Sequence, residues 1–351
     1  MSSLPALTPK KITAIGLTLV FGALGGGAFV YLTMPLPWMI GALVVTTAAA
    51  MGGVPLKGPG RLRNIMIGVL GIMLGSSFTP DALANVDQWA GSLSALLAFI
   101  IAVVAINAFY LVRIGGFDPV TAYFAASPGG LATMVTLGAE MGGDERSIGL
   151  VHSIRIMLTV LIIPFWFRFF EGYVPGSATT GAVTDIAGQD LMILALCALG
   201  YPVARLLKLP AAPLLGPMLF SVGVHLSGLT AAKPPSEIVN LAQVVIGTGI
   251  GCRFVGISAR HVMGLMVIAA GSTLFMLALA AGAALGLEAA TGLEFRALWL
   301  AFSPGGLAEM TLISLAMGID TAFVSTHHLF RVLFMIAAAP VVFALIRKRI
   351  T

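Results

Sequence analysis

Twelve apolar segments joined by short connectors set the terms for this chain. They lie at about 12–32, 36–52, 64–80, 90–112, 117–140, 147–170, 188–206, 211–229, 237–256, 262–287, 295–317 and 323–346. Most approach the roughly 20 residues that a helix needs to cross a hydrocarbon layer. No water satisfies backbone amides and carbonyls there, so a spanning segment bonds its backbone internally. The apolar character runs round the whole circumference, as in helices surrounded by lipid or protein. Charge is correspondingly scarce, at 9% of residues against roughly 25% in a soluble domain. The sequence therefore reads as an all-α polytopic membrane protein, and a soluble enzyme domain, a nucleic-acid binder and a disordered tail are excluded. The net charge of +5 records orientation rather than a nucleic-acid partner, because Lys and Arg collect on the cytoplasmic side. Cys197 and Cys252 both lie in apolar stretches, which rules out a disulfide scaffold and suits buried thiols. Lys10 and Lys11 precede an apolar run, as in a signal peptide, but that run is long enough to span and no small-residue cleavage site follows. It is expected to be a retained first span.

The chain repeats itself. Ser127-Pro128-Gly129-Gly130-Leu131-Ala132 recurs as Ser303-Pro304-Gly305-Gly306-Leu307-Ala308, an offset of 176. The same offset carries Asp144 onto Asp320, His152 onto His328, Arg155 onto Arg331 and Pro164 onto Pro340. Aligned without gaps, 127–164 and 303–340 share 13 of 38 positions. Pro35 and Gly41 match Pro210 and Gly216 at 175, a slip of one. The expected organisation is a first transmembrane repeat at 1–170, a polar linker at 171–187 rich in Gly, Ser and Thr, and a second repeat at 188–351. Duplicated halves are the usual plan of secondary transporters.

Positive charge bears on whether the halves are parallel or inverted. If each Ser-Pro-Gly-Gly segment enters and leaves by one face, each half crosses five times and the halves are inverted; 14 of the 19 Lys and Arg then face inside and three outside. Twelve full crossings give 12 inside and five outside. The inside-positive rule favours inversion, and both schemes leave the termini in the cytoplasm.

Three features carry possible chemistry. Proline removes an amide hydrogen and two glycines loosen the backbone, so Ser127, Pro128, Gly129 and Gly130, and again Ser303, Pro304, Gly305 and Gly306, predict helices broken inside apolar segments. Broken backbone is tolerated in a membrane only inside protein or at a polar cavity, and half-helix ends there bind substrate or coupling ions. The alternative is a tight loop or a plain kink. Second, His152 and Arg155, and His328 and Arg331, sit three residues apart and share a helix face. Arginine at such depth costs about 2.5–3.5 kcal/mol on insertion scales. Each arginine is expected either to bind a carboxylate-like anion or to hold carbonyls of the broken segment. Third, Thr133 has Glu309 as its repeat partner. An acid behind a broken tip is a candidate proton carrier or cation ligand, with His152 and His328 as further candidates for coupling; a salt bridge with Arg331 or a role at the helix start is the structural alternative. Asp144 and Asp320 are expected to cap helices, Asn107 and Gln243 to bond between helices, and the glycine runs at 22–27 and 247–251 to allow close packing. His327 and His328, being adjacent, diverge on a helix.

The two Ser-Pro-Gly-Gly-Leu-Ala elements, the His-x-x-Arg pairs, Pro-Trp-Met-Ile-Gly-Ala at 37–42 and Pro-Leu-Leu-Gly-Pro-Met at 213–218 resemble the AbrB-type duplicated membrane protein family, over about 12–347. Members are labelled ammonia monooxygenase or regulator of gene expression. The resemblance implies a transporter related distantly to cation–proton antiporter and anion transporter folds, without supplying a substrate or catalytic residues. The expected function is secondary transport of a small organic solute, with an anion favoured, by an elevator-like alternating-access cycle, with H+ or Na+ as coupling ion. The expected partners are the lipid bilayer, the solute and a second copy of the chain, with a dimer favoured and no nucleic acid. The expected location is the bacterial inner membrane. No catalytic residue, cofactor or metal site is expected, and no nucleotide-binding loop of the Gly-x-x-x-x-Gly-Lys-Ser/Thr kind is present. The alternatives are a membrane oxidoreductase, which needs a cluster of His and carboxylates that five scattered histidines do not suggest, and a membrane sensor that regulates transcription through a partner.

Overall fold

The computed structural model describes residues 8–83, 86–173, 188–257 and 259–350. Most of the linker expected at 171–187 lies outside the described residues. The first repeat supplies α1 (Pro9–Tyr31), α2 (Pro37–Met51), α3 (Gly60–Gly75), the short α4 (Pro80–Leu83), α5 (Trp89–Arg113), α6 (Pro119–Ala126), α7 (Leu131–Glu140) and α8 (Glu145–Phe170). The second supplies α9 (Gly188–Cys197), α10 (Gly200–Leu206), α11 (Ala212–Leu226), α12 (Ser236–Gly251), α13 (Ala259–Thr291), α14 (Phe295–Phe302), α15 (Leu307–Ala316) and α16 (Thr321–Ile350). Among the described residues there is no strand. Six helical stretches are long and apolar enough to cross a membrane, and α2, α7, α11 and α15 are shorter apolar helices. The chain is a polytopic, all-α membrane-type protein. Exposed apolar side chains such as Leu24, Ile101, Phe109, Val267 and Leu345 suit a surface that meets lipid.

The chain divides into two compact units, and each draws on both repeats. The first comprises Met1–Met73, Gly181–Ser221 and Thr230–Ala259. In it α2 packs on α1 and α12. Gly25 and Gly41 let α1 and α2 touch backbone to backbone, since a methyl group on either would overlap the other's carbonyl. Gly200 and Gly216 repeat that contact between α10 and α11 at an offset of 175. Gly247 of α12 meets the Met39 carbonyl in the same manner, so these glycines serve close packing.

The second unit comprises Leu74–Thr180, Val222–Leu229 and Arg260–Thr351. There α6 and α7 pack on α8, α14 and α15 pack on α16, and α15 reaches α8 while α16 reaches α6 and α7. Asn107 of α5 accepts from Ser272 of α13 at 2.8 Å and points its amide at the Met276 sulfur at 3.2 Å. The interhelical bonding expected of Asn107 is thus present. Asp144 caps α8 by accepting from the amides of Arg146 and Ser147, and Asp320 accepts from Phe323 N at 3.0 Å at the start of α16. Asp144 also donates its own amide to Thr121 Oγ1 at 2.7 Å, joining the starts of α6 and α8.

Candidate functional site

Both Ser-Pro-Gly-Gly segments break a helix, and both breaks lie in the second unit. A residue before proline is driven to extended backbone, and Ser127 (ψ 118°) and Ser303 (ψ 142°) end α6 and α14 in that way. Each serine hydroxyl turns back onto its own helix, Ser127 to Tyr123 O at 2.8 Å and Ser303 to Trp299 O at 2.6 Å. Gly129 and Gly305 then donate to the Ser127 and Ser303 carbonyls, both at 2.9 Å. Gly130 and Gly306 become the N-caps of α7 and α15. A side chain on Gly129 or Gly305 would collide with Met134 or Met310 respectively.

A broken helix leaves carbonyls without amides to bond, and buried carbonyls need partners. The His-Arg pairs supply them. On α8, His152 Nε2 lies 2.9 Å from Phe124 O, Arg155 Nη1 donates to Ala125 O at 3.1 Å, and Nη2 donates to Ser127 O at 3.4 Å. On α16, His328 Nε2 lies 2.9 Å from Leu300 O, and Arg331 donates to Ser303 O at 2.5 Å and Gly305 O at 2.6 Å. In each pair Arg Nη2 meets His Nδ1, at 2.7 and 2.8 Å. That geometry assigns the tautomer: Nε2 faces a carbonyl and must donate, Nδ1 faces an N–H and must accept, so both rings are neutral. The pairs are not identical, for Arg331 grips carbonyls two residues further into its break than Arg155 does.

The arginines are 2% exposed and the two histidines at most 1%. Holding the breaks uses their Nη groups only. Arg155 Nε and Arg331 Nε are buried with no hydrogen-bond acceptor. Among the described residues the ion pairs are those of Arg296 with Glu171 and Glu294, so neither buried arginine is paired with an acid. The salt bridge between Glu309 and Arg331 weighed from sequence does not form: Arg331 Nη1 and Nη2 lie on the Ser303 and Gly305 carbonyls, and Nε has no acceptor. Glu309 is 5% exposed and folds back over Gly306; Thr133, its repeat partner, is half-buried and lies over Gly130.

Ser127, Pro128, Gly129, Gly130, Thr133, His152 and Arg155 thus gather at one break, and Ser303, Pro304, Gly305, Gly306, Glu309, His328 and Arg331 at the other. His327, read from sequence only as the diverging neighbour of His328, places Nε2 2.8 Å from Ser92 Oγ of α5 while Nδ1 donates to Phe323 O at 2.8 Å. It does point away from His328, as adjacent positions on a helix must. Among the described residues no three His, Cys, Asp or Glu side chains are grouped so as to hold a metal ion.

Fold and site define a polytopic membrane protein whose duplicated halves each contribute one broken helix to a single compact unit. The chain belongs to the AbrB family: residues 38–347 match the family described as "Transition state regulatory protein AbrB". It is similar to "Uncharacterized protein YhjN" of Bacillus subtilis (strain 168), with 30% identity covering 90% of this chain and 88% of that one. It is also similar to "Putative regulator AbrB" of Escherichia coli (strain K12), with 25% identity covering 93% and 94%.

Proposed function

We propose that this chain is an ion-coupled secondary transporter of a small organic anion, working by alternating access around the two breaks. One observation carries the reading: two guanidinium Nε–H groups, one per repeat, are buried without an acceptor. Buried donors nearly always have a partner, and both cations lack an acid. A carboxylate arriving at the breaks supplies acceptor and countercharge together, and guanidinium is the side chain best shaped to bind one. The N-termini of α7 and α15 add positive potential of the same sign. In an elevator-like cycle the unit that holds both breaks carries the solute as one piece. The other unit belongs to the fixed part, where a homodimer forms. The halves are inverted, and both termini face the cytoplasm of a bacterial cell.

The names of the family and of the Escherichia coli relative speak of regulation. A membrane sensor acting through a partner would bind the same anion without moving it. Purified protein screened against mono- and dicarboxylates by thermal shift, followed by uptake into proteoliposomes, separates the two. Saturable uptake is expected. Arg155→Lys and Arg331→Lys keep the charge but lose the Nε–H, and each is expected to weaken binding about tenfold or more, equivalent to 1.4 kcal/mol. Unchanged affinity in both variants removes the arginines from the site, and binding without uptake favours the sensor.

A further inference from the structure

The chemistry of the two breaks differs most at position 309. Glu309 is the third residue of α15, the place from which an acid ordinarily reaches the N-cap amide to complete a capping box. Its carboxylate does fold back, close enough that a side chain on Gly306 would overlap Oε2. Among the described residues no ion pair engages Glu309. At 5% exposure it is a carboxylate largely enclosed by protein, though its oxygens are not among the side-chain atoms that are both shut off from water and unpartnered. Enclosing a carboxylate without an ion-pair partner costs free energy that a bound cation relieves.

The elements packed against α15 are α14, α16 and α8. Their ionisable groups among the described side chains are Arg296 on α14; His327, His328 and Arg331 on α16; and Glu145, Arg146, His152, Arg155 and Arg168 on α8. Glu294 and Asp320 flank α14 and α16 at their starts. The ring nitrogens of His327 and His328 are taken by Ser92, Phe323 O, Leu300 O and Arg331. Both Arg331 Nη groups lie on carbonyls. Among the described residues Arg331 Nε has no acceptor and Glu309 no ion pair, so the two charges stay unjoined.

A sodium ion at a broken helix is held by unwound backbone carbonyls. The carbonyls this break would offer, Ser303 O and Gly305 O, are already bonded to a guanidinium whose charge opposes a second cation. A proton needs no such cage, since it binds the carboxylate oxygen itself. We infer that Glu309 is the cation site of this protein and that its ligand is a proton rather than Na+. The carboxylate takes the proton from water on one side of the membrane, becomes a neutral acid, and returns the proton on the other. This deepens the transport reading and rests on it for the coupling, while protonation of Glu309 is a property of the chain alone.

The two are tested separately. Infrared difference spectra of the full chain in liposomes, taken between acidic and alkaline buffer, are expected to show a carboxylic-acid carbonyl band that Glu309→Gln removes. Replacing K+ by Na+ is expected to leave its midpoint unchanged. A missing band, a band that survives in Glu309→Gln, or a midpoint that Na+ moves overturns the inference. In proteoliposomes Glu309→Gln, which imitates the neutral acid, is expected to lose accumulation driven by a pH gradient at least tenfold. Sodium-driven accumulation abolished by the same variant also overturns it. A Glu309 band in a protein that moves no anion removes the transport reading and leaves the proton site standing.

Discussion

Arg155 and Arg331 commit their Nη donors to backbone and hold their Nε donors free, a division set by the histidine beside each. The imidazole fixes the guanidinium through Nδ1 and itself bonds the carbonyl one turn back in the preceding half-helix. His328→Ala should therefore leave the Leu300 carbonyl without its imidazole donor and loosen Arg331, at a cost of about 2–4 kcal/mol. His328→Gln, whose amide offers both a donor and an acceptor, should recover much of it. Thermal unfolding in detergent reads the difference, and equal losses in the two variants would show that ring packing rather than hydrogen bonding matters there. The i, i+3 spacing made the shared face of each pair legible in the sequence. Which carbonyls the arginines would find was not, because those carbonyls lie 26 to 30 residues upstream and only the packing of α6 on α8 and of α14 on α16 brings them within reach. Glu309 was legible as an odd acid in an apolar run, but its lack of a partner is a fact of packing.

The helix breaks themselves were readable, since Pro128 and Pro304 each follow a serine that must turn extended. The interruption between α9 and α10 within the apolar run 188–206 was not anticipated. Pro202 is its cause: the ring clashes with the carbonyl four residues back, at Ala198, and the helix gives way at Ala198 and Leu199. Asp144 shows how a helix start steadies a break. The Ser147 hydroxyl, and then the backbone amides, hold its carboxyl below the usual carboxylate range. A group with a depressed folded pKa adds stability above its unfolded value, about 3.9, and loses it as pH falls through the folded one. Asp144→Asn should keep the cap with less acid dependence, and Asp144→Ala should lose about 1 kcal/mol at neutral pH. Melting curves between acidic and neutral buffer test both, and a wild-type acid dependence retained in Asp144→Asn would assign it to another group.

Each repeat, read along the sequence, is continuous, yet each compact unit takes helices from both. Periodicity could not reveal that sorting, because uniformly apolar helices give no inward face to read. Close glycine contacts reveal it instead. Valine at Gly41 should drive α1 from α2 and cost about 3 kcal/mol, the upper end of overpacking. Gly216→Val should do the same to α10 and α11, with a similar fall in melting temperature. A large effect at one position and none at the other would show that the two crossings do not bear equally on the fold.

Thr33 and Leu36, between α1 and α2, hold left-handed backbone (φ 51° and 43°), and Lys208 and Ala211 hold it 175 residues later (φ 55° and 48°). Non-glycine residues adopt that region at a cost of roughly 1–2 kcal/mol. None of the four is glycine, and the paired side chains differ in size, Thr33 and Lys208 in charge as well. The main chain thus takes the same uncomfortable bend at this corner in both repeats while the side chains on it differ, so what the two halves hold in common there is a path and not a residue.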